Sequence, residues 1–326
     1  MTNKGVQRVA AIDCGTNSLR LLVADLYPDR GRLVDLHRRM EIVRLGQGVD
    51  ATGRLAPEAL ERTFRVLTEY ATTIADSGAR SVRMVATSAT RDASNADEFR
   101  SGVRRILGID SEVITGAQEA QLSFSGATAE LTGDQVALGG QPEPPFLVVD
   151  IGGGSTEFVL GKPGDGADLA AISTDIGCVR LTERHLRADP PTEDQVAAAT
   201  ADIDDALAQA ALAVPAAEAN TLVGLAGSVT TLTAIALELP AYDPDKVHHA
   251  RISADRVHEV TQLLLSQTRD ERAANPVIHP GRVDVIGAGA LIADRVMTKF
   301  GFSELVASEH DILDGIAWSI ATGASR

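Results

Sequence analysis

One short pattern occurs twice, and each copy opens a half of the chain. Ala11-Ile12-Asp13-Cys14-Gly15-Thr16-Asn17-Ser18 leads into an apolar strand pattern, and so does Val148-Val149-Asp150-Ile151-Gly152-Gly153-Gly154-Ser155-Thr156. Both read as strand, Asp-x-Gly loop, strand. One copy alone constrains little, because Asp and Gly populate most hairpin turns. Two matched copies predict a duplicated chain whose halves face each other across a cleft.

The remaining pattern interleaves strands and helices, which implies α/β layers. In the first half, strands are expected at 9–12, 19–26, 33–43, 82–86 and 112–114. Helices are expected at 57–75, 95–107 (capped by Asn95) and 117–131. Residues 132–145, with three Gly and three Pro, read as a loop near a domain boundary. In the second half, strands fit 146–149, 156–160, 169–174, 221–225 and 305–307. Helices fit 179–186, 193–212, 229–239, 254–266, 283–300 and 312–321.

Composition narrows the function classes. A chain of 326 residues is long enough for about two domains. With 44% apolar and 23% charged residues it is not intrinsically disordered. No stretch of about 20 residues is apolar and uncharged, so no membrane span is expected. The opening Met1-Thr2-Asn3-Lys4-Gly5 is too polar for a signal peptide. Two cysteines, Cys14 and Cys178, make no disulfide scaffold. The expectation is a soluble cytoplasmic protein with reduced thiols. A net charge of −15 argues against a general nucleic-acid binder. It leaves room for an anionic substrate, which needs positive potential only at the site.

A Gly-rich loop at a strand end cradles phosphate through backbone N–H groups. The Rossmann version runs straight into a helix, whereas Thr156-Glu157-Phe158-Val159-Leu160 alternates like a strand. The Walker version needs Gly-Lys-Ser/Thr, which does not occur. A β-hairpin phosphate loop remains, like that of the actin, Hsp70 and sugar-kinase superfold. Two decoys stand nearby. Cys14 and Arg20 have the spacing of cysteine-dependent phosphatases, but their loop leads into a strand, and Asp13 raises a neighbouring thiol pKa. His310-Asp311 is a bare metal-hydrolase dipeptide without a supporting ligand set.

Asp13, Asp150 and Glu157 lie in or beside the two loops, and Glu119 lies just inside a helix start. If they converge, they repel one another and a phosphate. A like-charge pair at roughly 4 Å costs about 4 kcal/mol at an effective dielectric of ~20. A polyanion site built this way calls for a cation. Mg²⁺ fits, being hard and able to bridge carboxylates to phosphates, with Mn²⁺ as its substitute. Arg91, directly after a strand and among small hydroxyl residues, is placed to meet an anion.

Read together, these segments resemble the exopolyphosphatase / guanosine pentaphosphate phosphohydrolase (Ppx/GppA) family, from about Val9 to Ala317. The resemblance rests on the two loops, on Ala86 to Asn95 and on Ile114-Thr115-Gly116-Ala117-Gln118-Glu119-Ala120. It extends through Gly177-Cys178-Val179-Arg180-Leu181, Leu225-Ala226-Gly227-Ser228 and Arg282-Val283-Asp284-Val285-Ile286. It implies an actin-like two-domain α/β fold, with domain I at 1–128 plus 312–326 and domain II at 129–311. It also implies Mg²⁺-dependent hydrolysis of terminal phosphoanhydrides. On the matching positions Glu119 is the general base, and Asp150 and Glu157 hold the metal or the water. Asp13 supports the metal. Arg91, Asn17, Ser18, Gly153, Gly154, Ser155, Gly227 and Ser228 contact phosphate.

Three positions depart from the family pattern. Gln118 stands where many members carry a second Glu. Thr16 replaces a commoner Ser. Ile312-Leu313-Asp314-Gly315 lacks the usual Arg-Glu before Gly. The chain also stops before the helical domain that helps longer members hold long polyphosphate. The leading expectation is therefore an exopolyphosphatase favouring shorter chains, with removal of the 5′ γ-phosphate of pppGpp as the alternative. A sugar-type kinase and a non-catalytic polyphosphate or alarmone sensor are the competing classes. Helical segments 193–212 and 254–300 offer surfaces for a homodimer.

Overall fold

The computed structural model describes residues 6–129, 131, 142–165 and 168–322. The chain divides into two units, Met1–Gly126 with Ile312–Arg326, and Ala127–Asp311. The first contains β1 (Gln7–Cys14), β2 (Ser18–Tyr27), β3 (Arg32–Ile42), α1 (Val49–Thr52), α2 (Pro57–Ser77), β4 (Ser81–Ala86), α3 (Ser88–Arg91), α4 (Ala96–Leu107), β5 (Ser111–Val113) and α5 (Gly116–Thr128). The second contains β6 (Phe146–Ile151), β7 (Thr156–Gly161), β8 (Ala170–Thr174), α6 (Cys178–Arg184), α7 (Glu193–Ala213), β9 (Thr221–Leu225), α8 (Ala226–Ala236), α9 (Pro244–Val247), β10 (Arg251–Ser253), α10 (Ala254–Ser266), α11 (Arg269–Ala273), α12 (Ile286–Phe300) and β11 (Glu304–Ala307). The chain then returns to the first unit through α13 (Ile312–Thr322).

The duplication read from the two loops is present in the sheets. The first has the strand order β3-β2-β1-β4-β5 and the second β8-β7-β6-β9-β11-β10. In each, a three-strand antiparallel meander joins two parallel strands. The second sheet adds β10, antiparallel to β11. The three-residue β10 has no counterpart among the expected strands.

Period-two alternation decides the core of the first unit. Ala10, Ile12 and Cys14 of β1 face a cluster with α2 and α4, while Val9 and Ala11 face Ile312, Leu313, Ile316 and Ala317 of α13. A strand covered on both faces is apolar throughout. In the second unit one cluster runs from Leu147 and Phe158 to the buried faces of α7, α10 and α12. At Gly315 an added Cβ would stand 2.0 Å from the Leu122 carbonyl oxygen, so α13 approaches α5 closely only because that residue is glycine.

Some boundaries differ from expectation. Asn95 does not cap α4 through its side chain. Its amide instead bonds both the N–H and the C=O of Leu55, 2.8 and 3.0 Å away. An amide offers donor and acceptor together, and a backbone peptide uses both. Helix α5 ends at Thr128 rather than at Leu131, α8 begins already at Ala226, and α12 begins only at Ile286. Most of the expected loop, 132–141, lies outside the described residues.

Candidate active site

In the first unit the candidate residues gather at the C-terminal ends of the parallel strands. The β1–β2 hairpin closes with the Gly15 N–H donating to the Ser18 carbonyl at 3.0 Å. The turn is held from outside: the Asn17 carbonyl accepts from the N–H groups of Val43 and Arg44, and the Thr16 carbonyl from Gly46. The Thr16 and Ser88 hydroxyls bond at 2.8 Å, tying this loop to the start of α3. Arg91, at the end of α3, donates through Nη1 to the Ile114 carbonyl at 3.0 Å and to Glu119 Oε2 at 3.2 Å. The structure thus brings Arg91 and Glu119 together, a contact that the sequence reading had not specified.

Glu119 owes its position to the start of α5. Thr115 Oγ1 accepts from the Gln118 N–H, and Gln118 Oε1 accepts from the Thr115 N–H. This reciprocal pair is a capping box, and it accepts Gln as well as Glu at its third helical position. The Gln118 departure therefore leaves the helix start intact. The departure just before Gly315 also has a partner: Asp314, 2% exposed, is bound by both terminal nitrogens of Arg38 on β3.

The second hairpin repeats the first closure, with the Gly152 N–H donating to the Ser155 carbonyl at 3.0 Å. Its carbonyls turn toward α6. Gly152 O accepts from Cys178 N–H, Gly153 O from Val179 and Arg180 N–H, and Gly154 O from Arg180 Nε at 2.7 Å. In a trans peptide the N–H points opposite to the C=O. The N–H groups of Gly153, Gly154 and Ser155 therefore point away from α6, as an anion-binding loop requires. At Gly177 an added Cβ would sit 2.4 Å from the Gly153 oxygen, so only glycine permits this docking.

Cross-strand register separates the two copies chemically. Asp13 lies opposite Arg20, which lies opposite Met40. Asp150 lies opposite Glu157, which lies opposite Ser173. Arg20 donates to Asp13 at 2.7 and 2.9 Å, so a guanidinium compensates that carboxylate. Asp150 and Glu157 are instead two acids on one face, 7% and 1% exposed. Directly opposed like charges destabilise a sheet. Ser173 Oγ donates to Glu157 at 2.7 Å, adding a third oxygen to the row.

The chemistry of this donor set suits a hard cation. Two carboxylates and a hydroxyl are hard oxygen donors, and Mg²⁺ is commonly held by one or two carboxylates plus waters and substrate phosphates. Among the described residues no group of three or more His, Cys, Asp or Glu forms an all-protein cage. The Asp150–Glu157 row fits Mg²⁺, and Asp13 with its arginine fits a supporting position better than direct ligation.

Gly227 and Ser228 lie in the first turn of α8, just beyond Leu225, the register partner of Asp150. Ala226 has φ +64°, a left-handed conformation unusual for a residue with a side chain. Arg282 packs against Gly227 and donates to Thr231 Oγ1 at 3.3 Å. Cys14 is 1% exposed, and burial first, then the Asp13 charge, pushes its thiol pKa well up. Cys178 is raised by burial as well. The His310 ring is tilted against that of His248, centroids 4.6 Å apart, and among the described residues it belongs to no group of three or more metal-binding side chains.

Residues 26–322 match the model of the Ppx/GppA phosphatase family. The chain belongs to that family. It is 50% identical over 325 residues to Exopolyphosphatase 2 of Mycobacterium tuberculosis, covering 96% of this chain and 98% of that one. Among solved structures, an exopolyphosphatase-like protein is 43% identical with a TM-score of 0.89, covering 97% and 99% of the two chains. The Ppx/GppA enzyme of Aquifex aeolicus is 34% identical with a TM-score of 0.78, covering 96% and 99%. The paired sheets carry the α/β actin-like fold expected of a Ppx/GppA protein. No helix among the described residues is long and apolar enough to cross a membrane.

Sequence reasoning gave no site role to Arg20, Ser173, Arg180 or Arg282. Arg20 and Ser173 become visible once register is drawn, since each sits opposite a loop acid or its partner. Arg180 and Arg282 lie in segments that carry the family resemblance, but they are distant in sequence from the elements they touch.

Proposed function

We propose that this chain is an exopolyphosphatase that hydrolyses the terminal phosphoanhydride of inorganic polyphosphate, favouring shorter chains. The observation that carries this reading is the second hairpin: three N–H groups turned outward beside an opposed Asp150–Glu157 pair. An oligophosphate end meets the first feature, and a divalent cation answers the second. The kinship to a protein named Exopolyphosphatase 2 supports it.

Glu119 takes the role of general base. Arg91 fixes its carboxylate, and the capping box fixes the helix turn beneath it. The carboxylate orients a water and accepts its proton as the oxygen bonds to the terminal phosphorus. The bridging P–O bond breaks, and the shortened chain leaves with the electron pair while orthophosphate is released. The N–H groups of Gly153, Gly154 and Ser155 hold the phosphate oxygens, with Asn17, Ser18, Gly227 and Ser228 as further contacts. Such hydrolysis is mainly positioning and charge stabilisation. Asp150 and Glu157 would hold Mg²⁺ (or Mn²⁺), with Asp13 proposed in a supporting role; the bound cation would supply positive charge for the phosphate oxygens. The two free, buried cysteines fit a reducing compartment, and the cytoplasm is the proposed place of action.

Short polyphosphate and pppGpp, offered separately with Mg²⁺, test the substrate. Orthophosphate release from polyphosphate is expected. Release from pppGpp alone would transfer the assignment to the guanosine substrate. Glu119→Gln should lower kcat by about 10²- to 10⁴-fold while substrate binding persists, the usual cost of a lost general base. A fully active variant would remove Glu119 from that role.

A further inference from the structure

Ser111 opens β5 at the end remote from Ile114, whose carbonyl Arg91 holds. The residue is 8% exposed, and its Oγ has no hydrogen-bond partner among the described residues. That oxygen is closed off from solvent, so Ser111 helps wall the recess beside it without presenting its hydroxyl there. Ser111 lines a cavity of about 570 Å³ that it shares with Arg100, Arg104, Arg105, Asp97 and Asp110. Positions 97, 100 and 104 share one face of α4, and Arg105 borders the recess from the adjoining side.

The charges there are unevenly matched. Arg100 bonds Asp97 at 3.1 Å, and Arg104 clamps Asp110. Arg105 is exposed and makes no ion pair with the described residues. Three guanidinium groups thus face two carboxylates in a chain whose net charge is −15. Both aspartates are open to water, with side-chain exposures of 92% and 70%. A stronger anion displaces them without burying them. Arginine forks match phosphate oxygens in pairs, and the volume exceeds what one orthophosphate fills.

We propose that this cleft is a second binding site for condensed phosphate, separate from the catalytic loops. Arg100 and Arg105 donate to the anion's oxygens, and Ser111 forms part of the wall behind them. The choice of condensed phosphate over other polyanions rests on the exopolyphosphatase reading.

Calorimetric titration of the Glu119→Gln protein with inorganic triphosphate is the test. Two sites are expected. Adding Arg100→Ala and Arg105→Ala should leave one site, or weaken the second at least tenfold. Asp97→Asn should tighten the second site several-fold by removing a competing charge. Ser111→Ala should leave both sites unchanged, since that hydroxyl is closed off from the recess. One site in the Glu119→Gln protein, or two that the arginine pair leaves unchanged, overturns the proposal. Triphosphate turnover by the wild-type protein is measured in parallel. If turnover is absent while the arginine-dependent site persists, the catalytic reading fails and the cleft stands.

Discussion

At the scale of single residues, the two loops place like backbones around unlike charges. The same seven-residue step separates Asp13 from Arg20 and Asp150 from Glu157, and register puts each pair face to face. One row is internally compensated and the other is doubly acidic. Both pairs are readable from the sequence once each loop is taken as a hairpin. The Arg91–Glu119 bond joins two segments through the fold, and its partners were identified by motif rather than by proximity. Cys14 shows how a local pattern misleads. Its distance from Arg20 matches a thiolate phosphatase, yet the thiol is buried and its pKa pushed well up. A nucleophile needs the thiolate. Cys14→Ala is expected to keep activity within about twofold, and brief iodoacetamide treatment of the folded wild-type protein should leave its phosphate release unchanged. Loss of activity in either experiment would restore the thiol to the chemistry.

At the scale of elements, long periodic segments were legible, and short ones only in part: β5 and β11 were expected, β10 was not. Helix α2, from Pro57 to its glycine stop at Gly78, followed from its own sequence. The four-residue α1 and α9 carry too few positions to show a period. The boundary misses at α8 and α12 share a cause: tertiary contacts decide where a turn is wound. At α8 the helix begins at Ala226 in spite of the left-handed backbone there. The second hairpin depends on α6 in the same way, through the carbonyl contacts that Gly177 permits. Gly177→Ala forces the loop and helix apart. Overpacking of this kind costs about 1–3 kcal/mol. The expected result is a modest fall in melting temperature and a loss of kcat of about a hundredfold or more. Unchanged kcat would mean that the orientation of those N–H groups does not matter for turnover.

At the scale of the whole molecule, charge sets the acid limit of stability. Asp25 is held below its usual value chiefly by its hydrogen bonds from Arg8. Burial raises Asp202, but hydrogen bonds from His185 and Arg184 outweigh it and leave the carboxyl lowered. An acid with a depressed folded pKa stabilises the fold above its unfolded value, about 3.9 for Asp, and that stability is lost as pH falls through the folded value. Glu309, raised chiefly by burial, works in the opposite direction as pH rises. Melting temperature should therefore fall steeply below about pH 4, and Asp202→Asn should flatten part of that slope. An identical profile in the variant would show that Asp202 adds nothing to acid stability.

The return of α13 to the first unit sets the order of events on the ribosome. Its apolar face covers Val9, Ala11, Leu22 and Ala24, and Asp314 seats the Arg38 guanidinium. None of that face is available until all of the second unit has been synthesised. During translation the earlier strands must wait, half-covered, for their lid, whereas the later domain emerges without interruption and needs nothing still to come.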